Sequence, residues 1–161
     1  MKKIFLFALM AMLASSAFSQ KSPRVTVISG DISISYGQPS KNDRKIFGEL
    51  VPFNKVWRAG ANEATEITFG SDKTFGGKAI KAGTYTLFVN PTETEWTIIL
   101  NSELKQWGSF NYDKIKEKDV LSVTVPVQET VAAVEKLTYS FEDNGNLVIE
   151  WDTSRVEIPV Q

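Results

Sequence analysis

The chain has 161 residues, of which 42% are hydrophobic and 23% are charged, as in ordinary folded globular domains. Eighteen lysines and arginines against nineteen acids give a net charge of -1, which leaves no positive excess for a nucleic-acid backbone or an anionic membrane surface. The sequence contains no histidine and no cysteine, which excludes Ser-His-Asp and Cys-His catalysis, thiol redox chemistry and metal sites built on imidazole or thiolate. We therefore expect no cofactor, no bound metal, no catalytic residue of these kinds and no nucleic-acid partner.

Residues 1–19 have the pattern of a secretory signal peptide. A lysine pair is followed by an apolar stretch over residues 4–13 and by small residues over 14–19, which predicts cleavage before Gln20. The apolar stretch is shorter than the roughly 20 residues that a membrane-spanning helix needs, and no cysteine stands at the cleavage site to carry a lipid. We expect residues 20–161 to form a single exported domain, periplasmic or extracellular, with neither a membrane span nor a lipid anchor.

The exported part shows the period-two alternation of β-strands. Apolar residues alternate with serines over residues 32–36 and with threonines over residues 84–89. Similar runs are rich in the valine, isoleucine and aromatic residues that favour strands. The nine predicted strands cover residues 25–28, 32–36, 64–69, 84–89, 95–100, 120–125, 136–142, 146–151 and 155–158.

Turn signals between the strands indicate short antiparallel connections. Asp143-Asn144-Gly145 is typical of a hairpin turn and would pair residues 137–141 with residues 147–151. Gly76-Gly77 indicates another tight turn. Connections of this length join neighbouring strands of an antiparallel sheet, so the sequence predicts such a sheet here.

Helix is expected in one place, a single turn over residues 102–107 capped by Asn101 or Ser102. Residues 112–119, rich in lysines and acids, are expected to form a solvated loop. Many short strands with hardly any helix predict an all-β fold. We expect a single antiparallel β-sandwich of jelly-roll type, with a β-barrel as the second possibility.

Residues 37–62 lack the alternation of a strand and are too long for a hairpin connection. Loops longer than about 15 residues are usually functional or disordered. The apolar content of this segment argues against disorder, and it comprises Ile46, Phe47, Leu50, Val51, Phe53, Val56 and Trp57. The sequence therefore predicts one long, ordered and packed loop.

Side chains able to hold a ligand are concentrated at this loop, namely Tyr36, Arg44, Trp57, Arg58, Asn62 and Glu63. Trp57 offers a flat surface for a sugar ring or an aromatic ligand, and Arg58 can donate paired hydrogen bonds to a carboxylate. In the structural alternative, Trp57 fills space under the loop and Arg58 forms an ion pair with Glu63. Both interpretations are compatible with the sequence.

The remaining tryptophans separate by their surroundings. Trp96 and Trp151 lie in phase with apolar neighbours, which favours a place in the core. Trp107 lies in irregular chain beside Phe110 and is the better candidate for an exposed aromatic residue. If its segment folds over the same end of the sandwich as Trp57, the two would form a cleft for a ligand.

The segments ISYGQPS (34–40), RKIFGELVPFNKVWRAGANEAT (44–65), KAGTYTLFVNP (81–91), EWTIILN (95–101) and QWG (106–108) resemble a known family. It is the group of exported bacterial proteins called domain of unknown function 2911. The run Trp-Arg-x-Gly-Ala-Asn-Glu-Ala-Thr is long and compositionally unusual, and the resemblance covers nearly all of residues 20–161. It implies a single exported β-rich domain and leaves the activity open.

Three functions from different classes are compatible with the sequence. The first, which we favour, is a non-catalytic cell-envelope domain that binds a glycan or a small polar ligand. The second is a carboxylate-dependent hydrolase, which needs two acids in one pocket. Glu63 and Glu66 would point to opposite faces of a strand, whereas pairings of Glu63 with Glu49 or Asp43 stay open. The third is a structural or partner-binding envelope protein that uses a sheet edge or an apolar patch.

Overall fold

The alternating segments form antiparallel strands in the computed structural model, which describes residues 22–161. The strands are β1 (Arg24–Ser29), β2 (Ile32–Gly37), β3 (Thr65–Phe69), β4 (Lys73–Phe75), β5 (Lys78–Ile80), β6 (Gly83–Pro91), β7 (Glu95–Asn101), β8 (Asp119–Pro126), β9 (Gln128–Phe141) and β10 (Leu147–Ile158). A short helix α1 (Tyr112–Ile115) and one 3-10 turn (Lys116–Lys118) precede β8. The predicted signal peptide lies outside the described residues.

Apolar residues at alternating positions line up across the main sheet. Its strand order is β1-β2-β3-β6-β7-β8, and every neighbouring pair is antiparallel. The register places Ile34 opposite Ile67 and Ile67 opposite Tyr85. Further along, Leu87 lies opposite Leu100. All five side chains are buried, so one face of the sheet is a continuous apolar surface.

The long hairpin β9–β10 covers that surface as a second layer. Its register pairs Phe141 with Leu147 and Tyr139 with Ile149, which confirms the predicted hairpin. Gly145, with a φ of +87°, makes the turn. Leu147, Ile149 and Tyr139 share one core with the residues of the main sheet. The sheets do not close into a barrel, and the predicted all-β sandwich is confirmed.

The strands differ from the prediction in number and length. β4 and β5 form a short hairpin around Gly76-Gly77, where the sequence indicates only a turn. β9 begins earlier than predicted, at Gln128. The predicted strands 146–151 and 155–158 belong to one strand, β10, because the register shifts around Asp152 let the chain bulge without leaving the hairpin. Asp152 accordingly has a positive φ of 54°.

The helical turn predicted over residues 102–107 is wrong, because the chain there is irregular. Lys105 has a positive φ of 58°, which a right-handed helix does not allow. The side chain of Asn101 accepts a hydrogen bond from Glu103 N–H (2.8 Å) and so closes a local turn. Polar side chains of this type compete with helix formation, which the sequence pattern does not reveal.

Residues 112–119 are exposed or partly exposed, as predicted, but residues 112–118 form α1 and the 3-10 turn instead of a loop. The ring of Tyr112 packs against Phe88 on the outer face of the main sheet, with ring centroids 5.2 Å apart. This contact holds the short helix, whose sequence shows no sustained apolar period. No helix within residues 22–161 is long and apolar enough to cross a membrane.

The segment between β2 and β3 is packed, as predicted for residues 37–62. Ile46, Phe47 and Val51 are buried in the core that the two layers share. Trp57, later in the segment, pairs with Val89 of β6 as an isolated bridge. The segment is therefore part of the core, and its polar side chains project from a fixed backbone.

Candidate functional site

Trp57 is fixed to the main sheet by its own backbone. Its N–H donates to Val89 O (2.7 Å), and its carbonyl accepts from Val89 N–H (2.9 Å). Its indole stacks on Trp151 of β10 and meets Trp96 edge-on, with ring centroids 6.4 Å apart. The ring lies between the two layers and is still partly exposed, so it can contact both the core and a ligand.

The residues after Trp57 form a tight turn in which Ala59 and Asn62 have positive φ values of 53° and 63°. An ordinary L-residue in this conformation costs roughly 1 kcal/mol. The turn is stabilised by two hydrogen bonds to Ala59 O, from Tyr139 OH (2.7 Å) and from Thr65 Oγ1 (2.8 Å). Thr65 of β3 and Tyr139 of β9 thus fix the backbone next to Arg58.

Gly37, at the end of β2, makes room for this turn. A Cβ atom at Gly37 would lie 2.0 Å from Ala61 O, which is closer than any side chain allows. With hydrogen in its place, Ala61 N–H donates to Gly37 O (3.1 Å). The glycine therefore sets the position of the backbone between Arg58 and Asn62.

The long loop of residues 37–62 contacts the irregular segment that contains Trp107, which the sequence analysis considered as a second part of the site. Trp107 and Glu63 form an isolated antiparallel bridge, and Gly108 N–H donates to Asn62 O (3.0 Å). Gly108 also lies against Arg58, because a Cβ atom there would be 3.2 Å from Arg58 Nη1. The backbone at Trp107 and Gly108 thus packs against the long loop next to Arg58.

A cavity of about 330 Å³ opens beside this turn. Its wall contains four of the seven predicted site residues, Arg44, Trp57, Arg58 and Asn62, together with Ser22, Pro39, Leu50, Val51, Gly60, Ala61 and Trp151. This volume lies at the lower end of the range typical of small-molecule sites, about 300 to 1,000 Å³. The apolar and polar parts of the wall could contact the body and the polar groups of one small ligand.

Arg58 is a partly buried cation in this wall. Its Nε–H donates to Gly60 O (3.2 Å). Within residues 22–161 no carboxylate lies within ion-pair distance of its guanidinium, so the ion pair with Glu63 considered above does not form. Burial lowers the pKa of Arg58 below its ordinary value, because removal of water disfavours the charged form. The structure thus places a partly buried positive charge at the cavity.

Arg44 is exposed but held by the backbone. Its Nε–H donates to Lys41 O (2.8 Å), and its Nη2 donates to Ser40 O (2.6 Å). Asn62, on the other part of the wall, donates from Nδ2 to Ser22 O (3.3 Å). Both side chains are therefore oriented before any ligand arrives, which lowers the entropy lost on binding.

Tyr36 does not line the cavity. It is 1% exposed, and its hydroxyl accepts hydrogen bonds from Gln38 Nε2 (3.2 Å) and Tyr139 N–H (3.4 Å). Burial raises the pKa of Tyr36 above its ordinary value. The residue joins β2 to β9 within the core, so its location favours a structural part.

Glu63 and Trp107 also lie outside the cavity wall. Their backbones pair with each other, and Trp107 is 54% exposed, which confirms the predicted exposure. Trp96 and Trp151 are each 1% exposed, as predicted for core residues. The two loops therefore share a backbone contact, but the predicted cleft between the rings of Trp57 and Trp107 is not the cavity that the structure contains.

Trp151, Leu50 and Val51 complete the wall and are not among the predicted site residues. Leu50 and Val51 belong to the long loop, and their position within this segment could have identified them as residues of the site. Trp151 was not recognisable, because its alternation with apolar neighbours correctly predicts burial. Its Nε1 donates to Glu135 O (3.2 Å), and its place in the wall depends on the packing of β10 against the loop.

A second cavity, of about 390 Å³, holds acids instead of arginines. Its wall includes Glu93, Glu129 and Asp152. Asp152 pairs with Lys41 (3.0 Å), so that carboxylate anchors the long loop to β10. In the part of the chain that the structure describes, no group of three histidine, cysteine or acidic residues is placed to hold a metal ion. The other two acids of this wall, Glu93 and Glu129, are exposed to solvent, whereas a hydrolase of this type needs one of its two acids buried.

Comparison with family models identifies the family of this chain. Residues 19–160 match the family model described as "Protein of unknown function (DUF2911)". The searches of curated proteins and of solved structures gave no significant match. The match confirms the resemblance noted from the motifs and carries no activity with it.

Proposed function

The chain belongs to the family of proteins of unknown function 2911, and from that premise we propose that it is a non-catalytic binding domain of the cell envelope. Its ligand is a small polar molecule or a glycan unit that enters the cavity lined by Trp57, Arg58, Asn62 and Arg44. One observation carries the proposal. A preorganised cavity of suitable volume contains a partly buried guanidinium that has no carboxylate partner within residues 22–161.

Arginines that stabilise a fold are commonly paired with acids. Arg155 on β10 gives the contrast within this chain, because it pairs with Glu142, Glu150 and Glu157. An unpaired charge that is partly removed from water destabilises the fold unless something compensates it. The lone charge of Arg58 is therefore better explained by a ligand than by stability.

The hydrolase alternative has less support. In the part of the chain that the structure describes, no aspartate or glutamate lines the cavity beside Trp57 and Arg58. The pairings of Glu63 with Glu49 or Asp43 would have to lie elsewhere, since none of these acids belongs to that wall. A binding function needs no such acid pair, and the arrangement of two arginines with tryptophan and asparagine favours recognition.

A thermal-shift screen of the purified protein tests the proposal. The panel contains neutral and acidic monosaccharides, short glycans, amino acids and inorganic anions. A ligand at about 100 times its dissociation constant stabilises the fold by about 2.7 kcal/mol, which raises the melting temperature measurably. A shift that disappears in Asn62→Ala, while Asn54→Ala keeps it, would locate binding in this cavity. If no compound of the panel shifts the melting temperature, the binding function is rejected.

We also propose that the protein is exported, on the basis of the signal-peptide pattern in residues 1–19. The full chain expressed in a bacterial host should yield a product whose mass begins at Gln20. Ala17→Lys should block processing, because signal peptidase requires a small residue at that place. A product that keeps its N-terminal residues and stays in the cytoplasm would contradict export without affecting the binding proposal.

A further inference from the structure

The charge of the cavity wall indicates what kind of ligand it takes. Arg44 and Arg58 line it, and none of the wall residues within 22–161 is acidic. The complete chain has a net charge of -1, so this local positive character is not a general property of the molecule. A partly enclosed cationic cavity in such a chain attracts small anions in preference to neutral molecules.

We propose that the ligand is a small organic carboxylate, of which an acidic monosaccharide is the representative, and that Arg58 binds its carboxylate group. This inference rests on the binding function proposed above and specifies its ligand class. The Nε–H of Arg58 donates to Gly60 O and its Nη1 lies beside Gly108, while no acceptor within residues 22–161 bonds to Nη1 or Nη2. Two guanidinium donors of this kind match the two oxygens of one carboxylate.

The second arginine adds charge at a preset position. Two of the three nitrogen atoms of Arg44 donate to the backbone, to Lys41 O and Ser40 O, which fixes the guanidinium plane. Nη1 is not used by these hydrogen bonds. Arg44 therefore increases the electrostatic attraction of the cavity for an anion, while Arg58 makes the direct contact with the carboxylate.

The rest of the wall favours a compact organic body over a bare inorganic anion. Trp57, Leu50 and Val51 supply apolar surface, and Asn62 supplies an amide group beside them. A sugar ring has apolar faces that pack against an indole and hydroxyl groups that bond to amides. A cavity of about 330 Å³ limits the ligand to a small molecule or the end of a chain.

Isothermal titration calorimetry of the purified protein with matched sugars tests this ligand class. Glucuronate and galacturonate differ from glucose and galactose by a carboxylate, and inorganic phosphate serves as an anion without an organic body. We expect the uronates to bind about tenfold or more tightly than the neutral sugars. Raising NaCl from about 0.05 M to about 0.5 M should weaken uronate binding and leave any neutral-sugar binding unchanged.

Variants separate a specific contact from a general charge effect. Arg58→Gln should weaken uronate binding about tenfold or more, and Arg58→Lys should restore only part of it because the paired donors are lost. Arg24→Gln, which removes an exposed arginine on β1 outside the cavity wall, should bind like the parent. Circular dichroism of each variant checks folding, and the lysine variant keeps the test valid if the glutamine variant does not fold.

The outcomes distinguish this inference from the binding function beneath it. Equal affinity for uronates and neutral sugars, or full uronate binding by folded Arg58→Gln, would overturn the carboxylate inference and leave a small-ligand site. Phosphate binding without uronate binding would do the same. If the uronates release no heat while another compound of the thermal-shift panel raises the melting temperature, the carboxylate inference fails and the binding function stands. If no compound gives a response in either experiment, both are rejected.

Discussion

The indole rings of Trp57 and Trp151 stack with centroids 5.9 Å apart and planes inclined by 18°. Trp57 comes from the long loop, and Trp151 is a buried residue of β10. Both residues belong to the cavity wall. The site is therefore built directly on the core, so a change in this pair affects stability and binding together.

Trp57→Ala should lower the free energy of unfolding by about 3 kcal/mol, because it removes a large ring from the interface of the two layers. Trp57→Phe, which keeps an aromatic ring, should lose much less. Urea denaturation followed by circular dichroism measures both values. If Trp57→Ala unfolds at the same urea concentration as the parent, the Trp57 ring and its stacking on Trp151 do not contribute to stability.

Arg58→Met should change the free energy of unfolding by no more than about 1 kcal/mol, because the side chain forms no ion pair within residues 22–161 and loses one hydrogen bond to Gly60. Arg155→Met should be more destabilising, because it leaves Glu142 and Glu150 without their cation. Guanidinium denaturation of the two variants gives the comparison. A larger loss for Arg58→Met would show that Arg58 stabilises the fold.

Gly37→Ala should destabilise the protein by about 3 kcal/mol, because its methyl group would overlap Ala61 O and displace the turn. It should also abolish ligand binding, since the displaced turn carries Arg58. Gly77→Ala is the matched control, with a φ of +78° and open space around the new methyl group. Its expected loss is about 1 kcal/mol from backbone strain alone. Equal melting temperatures for the two variants would contradict the close approach.

Stability should be nearly constant between about pH 5 and about pH 8, because the chain has no histidine or cysteine to titrate there. Hydrogen bonds from Ser71 and from Lys81 lower the pKa of Asp31 and of Asp72 respectively. Carboxylates with lowered pKa stabilise the fold above their unfolded pKa of about 3.9, and that contribution is lost as the pH falls through the folded value.

At alkaline pH the stability of the fold should fall as the pH rises, whereas at acidic pH it falls as the pH decreases. Burial raises the pKa of Tyr139 far above its ordinary value, so the neutral phenol stabilises the fold up to the unfolded pKa of about 10. This contribution is lost as the pH rises further. Urea midpoints measured across the pH range check both limits, and Asp72→Asn should make the acid limit less steep. A sharp transition near pH 6.5 would contradict the expected plateau.

Local sequence determined most of the fold, because period-two alternation fixes which side of a strand is buried wherever one face meets a core. The strand over residues 32–36 and the hairpin at Gly145 were predictable for this reason. The continuity of β10 through Asp152 and the helix at Tyr112 were not, because each depends on contacts with a separate part of the chain.

The sequence by itself determined the all-β class, the exclusion of histidine and cysteine chemistry, the packed long loop and the residue types available for a site. Tertiary structure alone decided which of them come together. Arg44, Trp57, Arg58 and Asn62 share a cavity, whereas Tyr36 is buried in the core and Glu63 and Trp107 lie outside the cavity wall. The physical reason is that an irregular loop has no period from which side-chain direction follows. The directions of the side chains on this loop are set by contacts with distant parts of the chain. These contacts are the close approach of Gly37 to Ala61 and the stacking of Trp57 on Trp151.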